Sequence, residues 1–458
     1  MPPLAFGDET ANAQALIGWV PVFRSSTCVA PVVILPMVSG GYADRYGYKP
    51  TIFATVWLKI AGYLMMATQR TYGGFLFGVV LLATGTALFK PAVQGTLAQS
   101  TSKSNSSVGW GIFYWLVNLG SAFGPPLAGY LHEQGWPYVF YGCAAIVSLN
   151  FVMLFTYSEV PSGASSTLGA WDVFKSTFTN FWERRLITVI LILSGFWLMM
   201  YQVWDLLPSF YTDWIDSSSF VKANHWIPDA WLNTADARGI QLKQENAINL
   251  NSVSVVVFLV PFSYVVAQTR VLPAMAAGIL VAIAGILCAG SSMGFGPLVL
   301  GLLFFSVGEM LTGPKMLEYF ALIAPKGKKA LYLGYVNIPV AIGQAFGAVL
   351  AGSLYGTRGE KATLALRYLA QKTSYVQGKG PWNGDIDTVA AYVGVERDGA
   401  FTKLQEVLGK GAAESTDLLW STYHPYQVWY AFASIGVASL VGMVAFAQRS
   451  KRWRDMDV

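Results

Sequence analysis

The sequence predicts an all-α membrane protein built from two pseudo-symmetric helical bundles, and three observations carry that prediction. First, 54% of the 458 residues are hydrophobic and only 12% are charged, about half the charge of a soluble domain. Polar side chains at that density could not cover a large soluble enzyme, and neither a disordered chain nor a disulfide-stapled secreted domain has this composition. Second, apolar windows near the ~17–25 residues needed to cross a bilayer fall at 14–39, 51–68, 73–98, 108–131, 137–157, 186–211, 248–268, 271–292, 295–324, 331–355 and 425–447. Third, the two halves repeat one another. Residues 119–131 (LGSAFGPPLAGYL) and 342–354 (IGQAFGAVLAGSL) share eight of thirteen positions at an offset of 223. The same offset superimposes Gly85 on Gly308, Leu88 on Leu311 and Pro91 on Pro314.

Threading the eleven windows alternately places four basic clusters on one side: Arg45 and Lys49; Lys175, Arg184 and Arg185; Lys326, Lys328 and Lys329; and Arg449, Lys451, Arg452 and Arg454. The positive-inside rule makes that side cytoplasmic, with the C-terminus inside and the chain in the cell membrane. The repeat then divides the chain into an N-terminal bundle over 1–157, a polar cytoplasmic linker over 158–185 and a C-terminal bundle over 186–458. The last contains an extracytoplasmic insertion, 357–423, whose Gly, Asp and Lys content and short helical patterns read as a cap. Under the offset, the window 186–211 has no counterpart in the first half. The expectation is therefore a twelve-span design, two six-helix bundles, of which eleven spans are present here and the first is absent. Duplicated halves of this kind are frequent in secondary transporters.

Other totals narrow the chemistry. Cys28, Cys143 and Cys288 sit in apolar stretches and read as small buried hydrophobes, and no His is spaced for a metal. The net charge of +5 is dispersed rather than gathered into a nucleic-acid stripe. No phosphate-cradling loop and no nucleophile–base constellation stands out, so neither an ATP-driven pump nor an enzyme is expected, and no cofactor.

Scarce charge makes each in-span charge informative. Lys90 lies eight residues before the end of its window, roughly 12 Å of helix, where an ionisable group costs about 2.5–3.5 kcal/mol and is a functional candidate. Desolvation suits it to proton-linked or anion-binding work. Glu309, deep in 295–324, is equally expensive unless paired or facing water. Asn118 brings a donor and an acceptor into an apolar helix, where helix-to-helix bonding is the plainer role. Asp205, in 186–211, is an alternative carboxylate or an interfacial one. The segment Gly40-Gly41-Tyr42-Ala43-Asp44-Arg45-Tyr46-Gly47-Tyr48-Lys49-Pro50 reads as a tight charged loop between two spans.

That loop, with Gly41, Asp44, Arg45, Gly47 and Lys49 in G-x-x-D-R-x-G-x-K spacing, resembles the signature loop of the major facilitator superfamily. The resemblance implies that fold and a gating role for these five residues. Three further runs resemble the proton-dependent oligopeptide transporter family: Gly85 to Pro91 (G-x-x-x-F-K-P), Phe113 to Gly120 (F-Y-x-x-x-N-x-G) and Gly308 to Pro314 (G-E-x-x-x-x-P). Phe196-Trp197, Tyr201-Gln202, Leu250-Asn251 and Pro261 look like that family's patterns as well. The resemblance covers every window but not 357–423. It implies that Lys90 couples protons and faces the peptide carboxylate, that Asn118 and Gln202 touch the substrate, and that Glu309 holds the peptide amino group. A cation and an anion on opposite halves suit a zwitterion. The family's Glu-x-x-Glu-Arg run is not found in this sequence, which leaves Lys90 and Asp205 as the candidate proton-coupling groups. The expected protein is thus a monomeric secondary transporter of small peptides with protons, its partners being substrate, protons and bilayer but no nucleic acid. Another small solute, or a non-transporting sensor or assembly role, are the alternatives.

Overall fold

The computed structural model describes residues 29–102, 105–164, 169–234, 236, 238–376 and 382–450. The start of the 14–39 window, Cys28 and the basic tail from Lys451 lie outside them. Helices follow one another as α1 (Val29–Tyr46), α2 (Tyr48–Thr68), α3 (Tyr72–Ser100), α4 (Ser106–Glu133), α5 (Trp136–Phe155), α6 (Ala170–Phe181) and α7 (Arg184–Met200). They continue as α8 (Gln202–Asp205), α9 (Leu207–Trp214), α10 (Ser218–Ala223), α11 (Gln244–Ile248), α12 (Leu250–Ala267), α13 (Val271–Gly290) and α14 (Phe295–Ile323). The last are α15 (Lys329–Tyr335), α16 (Asn337–Arg358), α17 (Lys361–Lys372), α18 (Val389–Val393), α19 (Ala400–Leu408), α20 (Ala412–Tyr423) and α21 (Val428–Ser450). Leu232–Asn233 and Gln241–Leu242 form a two-stranded antiparallel ribbon.

Among the described residues, nine helical stretches are long and apolar enough to cross a membrane, each over one of the windows read from sequence. The 108–131 window becomes α4, 28 residues long but diluted by Asn118, Ser121 and the Pro125–Pro126 pair. Large apolar side chains on α5 point outward, Leu149, Val152, Met153 and Phe155 among them. Such a surface would drive aggregation in water and is what a lipid-facing helix requires.

The chain divides into two compact units. The first takes the described residues within 1–106, 124–194 and 317–345, and the second those within 107–123, 195–316 and 346–458. Each unit holds a glycine-packed hairpin, and the two hairpins are the same construction. In the first unit a Cβ on Gly62 would meet the Leu82 amide nitrogen at 2.8 Å and the Gly78 carbonyl at 2.9 Å. In the second, a Cβ on Gly285 would meet the Phe305 nitrogen at 2.6 Å and the Gly301 carbonyl at 2.8 Å. All three positions differ by the 223-residue offset. Small residues let the backbones approach this closely without a hydrophobic driving force between helices. The prolines agree too: α3 and α14 are both 29 residues long, with Pro91 nineteen residues after Tyr72 and Pro314 nineteen after Phe295.

Four local expectations are revised. The segment from Gly40 to Tyr46 is helical, the last turns of α1, and only Gly47 makes the reversal, at φ 96°. Gly40 serves close packing instead: a Cβ there would lie 2.2 Å from the Ala330 carbonyl oxygen. The polar linker 158–185 contains a full helix, α6, which packs on α1. Cys143 and Cys288 are half-buried free thiols rather than buried ones. The window 186–211 is interrupted at Tyr201 and again at Leu206, so it runs as α7, α8 and α9. The described residues of 357–423 include the short helices α17 to α20.

Candidate functional site

The second unit contains a polar cluster inside its apolar helices. Glu309, on the face of α14 that packs against α12 and α4, is 5% exposed. Its Oε1 accepts a hydrogen bond from the Tyr114 hydroxyl at 2.6 Å, and its Oε2 accepts one from Asn251 Nδ2 at 3.0 Å. Asn251 is fixed in turn, its Oδ1 accepting from the Ser306 hydroxyl at 2.7 Å. Ser306 stands three residues before Glu309 on α14, so the two share a helix face. The wall around them is apolar: Val255, Leu259 and Met310 are buried, and Tyr114, Trp115, Phe262 and Val307 pack against them. Trp115 Nε1 donates to the Val256 carbonyl at 2.6 Å and pins α4 to α12. Gly313, one turn on from Glu309, leaves room for the Tyr114 ring, whose atoms would come within 2.8 Å of a Cβ there. Each carboxylate oxygen therefore has one fixed donor and a remaining lone pair, so the carboxyl group is held in one orientation with acceptor capacity to spare.

An aromatic series borders this unit's part of the interrupted span. Trp197, Tyr201, Trp204 and Phe305 follow one another with ring centroids 5.7–5.9 Å apart. Gln202, beginning α8, is fully buried; its Nε2 donates to the Leu198 carbonyl at 2.8 Å while its Oε1 has no partner among the described residues. Gly347 of α16 packs directly on that amide. Asp205, at the end of α8, is half-buried. Asn118 is buried, but its Nδ2 donates to the carbonyl of Tyr114 in its own helix at 3.0 Å. Of the residues singled out in sequence, Glu309, Asn118, Gln202 and Asp205 thus lie in the second unit. Lys90 lies in the first, on α3, with an exposed side chain.

The five loop residues gather in the first unit. Asp44 is buried and its carboxylate meets the N-terminus of α15: Oδ1 accepts from the Ala330 amide at 3.0 Å and Oδ2 from the Leu331 amide at 2.9 Å. Tyr48 adds its hydroxyl at 2.7 Å. An acid at a helix start satisfies orphan amides and opposes the positive end of the helix. Burial pushes the Asp44 carboxyl up to about 7, against the lowering pull of these donors and of Lys329. Gly41 packs on Val173 of α6. Arg45 lies over the Tyr46 ring. Lys49 donates to the Tyr157 carbonyl at 2.8 Å. Glu159 completes the arrangement, its two oxygens accepting from the Tyr48 and Lys49 amides at 2.8 Å each, at the start of α2.

Sequence reasoning did not single out Tyr114, Asn251 or Ser306 as partners of Glu309, nor Glu159 as the cap of α2. Tyr114 and Asn251 stood within recognised runs, but their donor roles depend on contacts across 195 and 58 residues of chain. Glu159, an acid just past the end of a span, was the one signal available for the cap.

Comparison with known proteins gives a consistent picture. The Major Facilitator Superfamily pattern matches residues 1–220. Multidrug resistance protein MdtH of Yersinia pestis (strain Pestoides F) is 22% identical over 328 residues, covering 70% of this chain and 74% of its own. The solved structure of the human organic anion transporter MFSD10 (TETRAN) superposes with a TM-score of 0.57 at 14% identity, over 91% of this chain and 82% of that one. A peptide transporter POT in complex with alafosfalin superposes with a TM-score of 0.52 at 16% identity, over 94% and 86%. At such identities the two structures speak for the fold.

Proposed function

We propose that the chain is a multi-pass transporter of the major facilitator superfamily that moves small peptides, together with protons, by alternating access. The observation that carries this reading is the buried Glu309 carboxylate, held by Tyr114 and Asn251 with lone pairs to spare. A peptide's ammonium group offers three donors to such an acceptor. Lys90, the in-span cation of the other sequence half, supplies the charge a peptide carboxylate needs. Asn118 and Gln202 add amide groups, and the Gln202 oxygen is an acceptor awaiting a donor. In this reading, Glu309 binds the peptide ammonium group, and protonation of a carboxylate, Glu309 or Asp205, weakens that hold and releases the cargo. Asp44, Arg45 and Lys49, with Gly41 and Gly47 shaping the backbone, act as a gate through the contact with α15. The positively charged side is the cytoplasmic one.

The test is uptake of labelled dialanine into proteoliposomes carrying the purified chain under an inward proton gradient. Accumulation abolished by a protonophore is the expected result. The similarity to a multidrug resistance protein over 70% of the chain favours one second reading, export of an organic cation or anion. Dye movement without dipeptide uptake in the same vesicles would select it.

A further inference from the structure

Helix α6, Ala170–Phe181, carries two faces that serve different surroundings. One face belongs to the protein: Val173 and Thr177 are buried, Val173 against Gly41, and the Thr177 carbonyl accepts from the Tyr335 hydroxyl at 2.6 Å. The other face is aromatic and uncovered. Trp171, Phe174, Phe178 and Trp182 fall within an arc of about 80° at 100° per residue. Their rings adjoin: Trp171 stacks on Phe174 at 5.3 Å, and Phe178 meets Phe174 in a tilted arrangement at 4.9 Å. Trp171 is 72% exposed and Trp182 70%. Between the two faces runs a polar edge of Lys175, Thr179 and Asp172, all exposed, with Asp172 closing the helix start by accepting from the Gly169 amide at 3.1 Å.

We propose that the aromatic face of α6 is an interfacial anchor that lies in the headgroup region of the bilayer and takes anionic lipid. The occupant follows from what α6 is joined to. Trp182 is separated by one residue from Arg184, where α7 starts, and the stretch Arg184–Asp205 is apolar enough to cross the membrane. The end of α6 must therefore sit at the boundary of that same membrane, within a few ångströms of the headgroups. Trp is the side chain most at home there, with an apolar body and one N–H for the wet side. Exposed Lys175 and Arg184 flank the aromatic face and match phosphate-bearing headgroups, the arrangement of an amphipathic interfacial helix. Because the opposite face of α6 packs on α1 beside Gly41, lipid held on one face bears on the position of the other.

The test uses the full-length chain in vesicles of phosphatidylcholine with and without phosphatidylglycerol. Trp171→Cys and Phe178→Cys carry nitroxide labels on the aromatic face, Asp172→Cys and Thr179→Cys on the polar edge, and the unsubstituted chain labelled in parallel gives the background from Cys28, Cys143 and Cys288. All four positions are exposed, so the substitutions leave the core packing intact, and Asp172→Cys gives up only the bond to the Gly169 amide. Labels at 171 and 178 are expected to collide with oxygen several-fold more, relative to a water-soluble nickel chelate, than labels at 172 and 179. The anionic lipid is expected to enlarge that contrast, and Lys175→Gln with Arg184→Gln to remove the enlargement. Equal access of the chelate to all four positions would overturn the proposal, since the face would then stand in water. Shielding of 171 and 178 from both reagents would overturn it as well, since protein rather than lipid would cover them.

Discussion

The Tyr114 hydroxyl donates to Oε1 of Glu309 at 2.6 Å, joining α4 to α14 across 195 residues of sequence. A hydrogen bond to a charged group contributes about 1.5–3 kcal/mol. Tyr114→Phe is expected to lower the thermal unfolding temperature of the purified chain, and Glu309→Met to do the same. A double-mutant cycle over the pair is expected to return a coupling of about 1–3 kcal/mol. Additive losses would mean that the bond carries no stability.

The Asp44 contact with α15 should depend on pH, and the raised carboxyl fixes the sign. Its value moves from the ordinary 3.8 to about 7, so the packed state favours the protonated form. The contribution is complete below about pH 4 and is lost as pH rises through about 7. Amide exchange at Ala330 and Leu331, corrected for its intrinsic pH dependence, is expected to speed up across that interval. In Asp44→Asn the extra dependence is expected to vanish, with one of the two amides losing its acceptor.

The repeated glycine hairpins predict paired costs. Gly62→Ala and Gly285→Ala each put a methyl within 3 Å of backbone atoms, and each is expected to destabilise by about 1–3 kcal/mol. Gly352→Ala, where a Cβ meets nothing within 4 Å, is expected to leave the unfolding temperature nearly unchanged. Parallel thermal scans of the three variants check this.

Glu159 accepts two amides at the start of α2, so Glu159→Ala is expected to cost about 0.5–2 kcal/mol. Protease sensitivity of the 157–164 segment should rise with it, because Lys49 and Tyr157 are tied through the same corner.

Much of the architecture was legible in the sequence because bilayer thickness imposes a length on every apolar run. The duplication was legible in part because Gly85 must stay small for the same reason as Gly308, each lying against the neighbouring helix. The candidate site was legible as residue types but not as partners. Glu309 is conspicuous for its charge, whereas nothing in the chain says that Tyr114 and Asn251 reach it. The partners of Asp44 were invisible in a stronger sense, since the amides of Ala330 and Leu331 have no side-chain signature. Gly40 was misread as a turn residue because glycine serves turns and close helix contacts alike. The break at Tyr201 has no glycine or proline beside it, so periodicity alone ran straight through.

The most direct measurement of the central claim is binding of dialanine and of its N-acetylated form, by calorimetry on the purified chain and on Glu309→Gln. If Glu309 holds the peptide amino group, the unmodified chain should prefer the free amine at least tenfold, about 1.4 kcal/mol, and Glu309→Gln should lose that preference. Equal affinity for both peptides in the unmodified chain, or a preference that survives in Glu309→Gln, would contradict it.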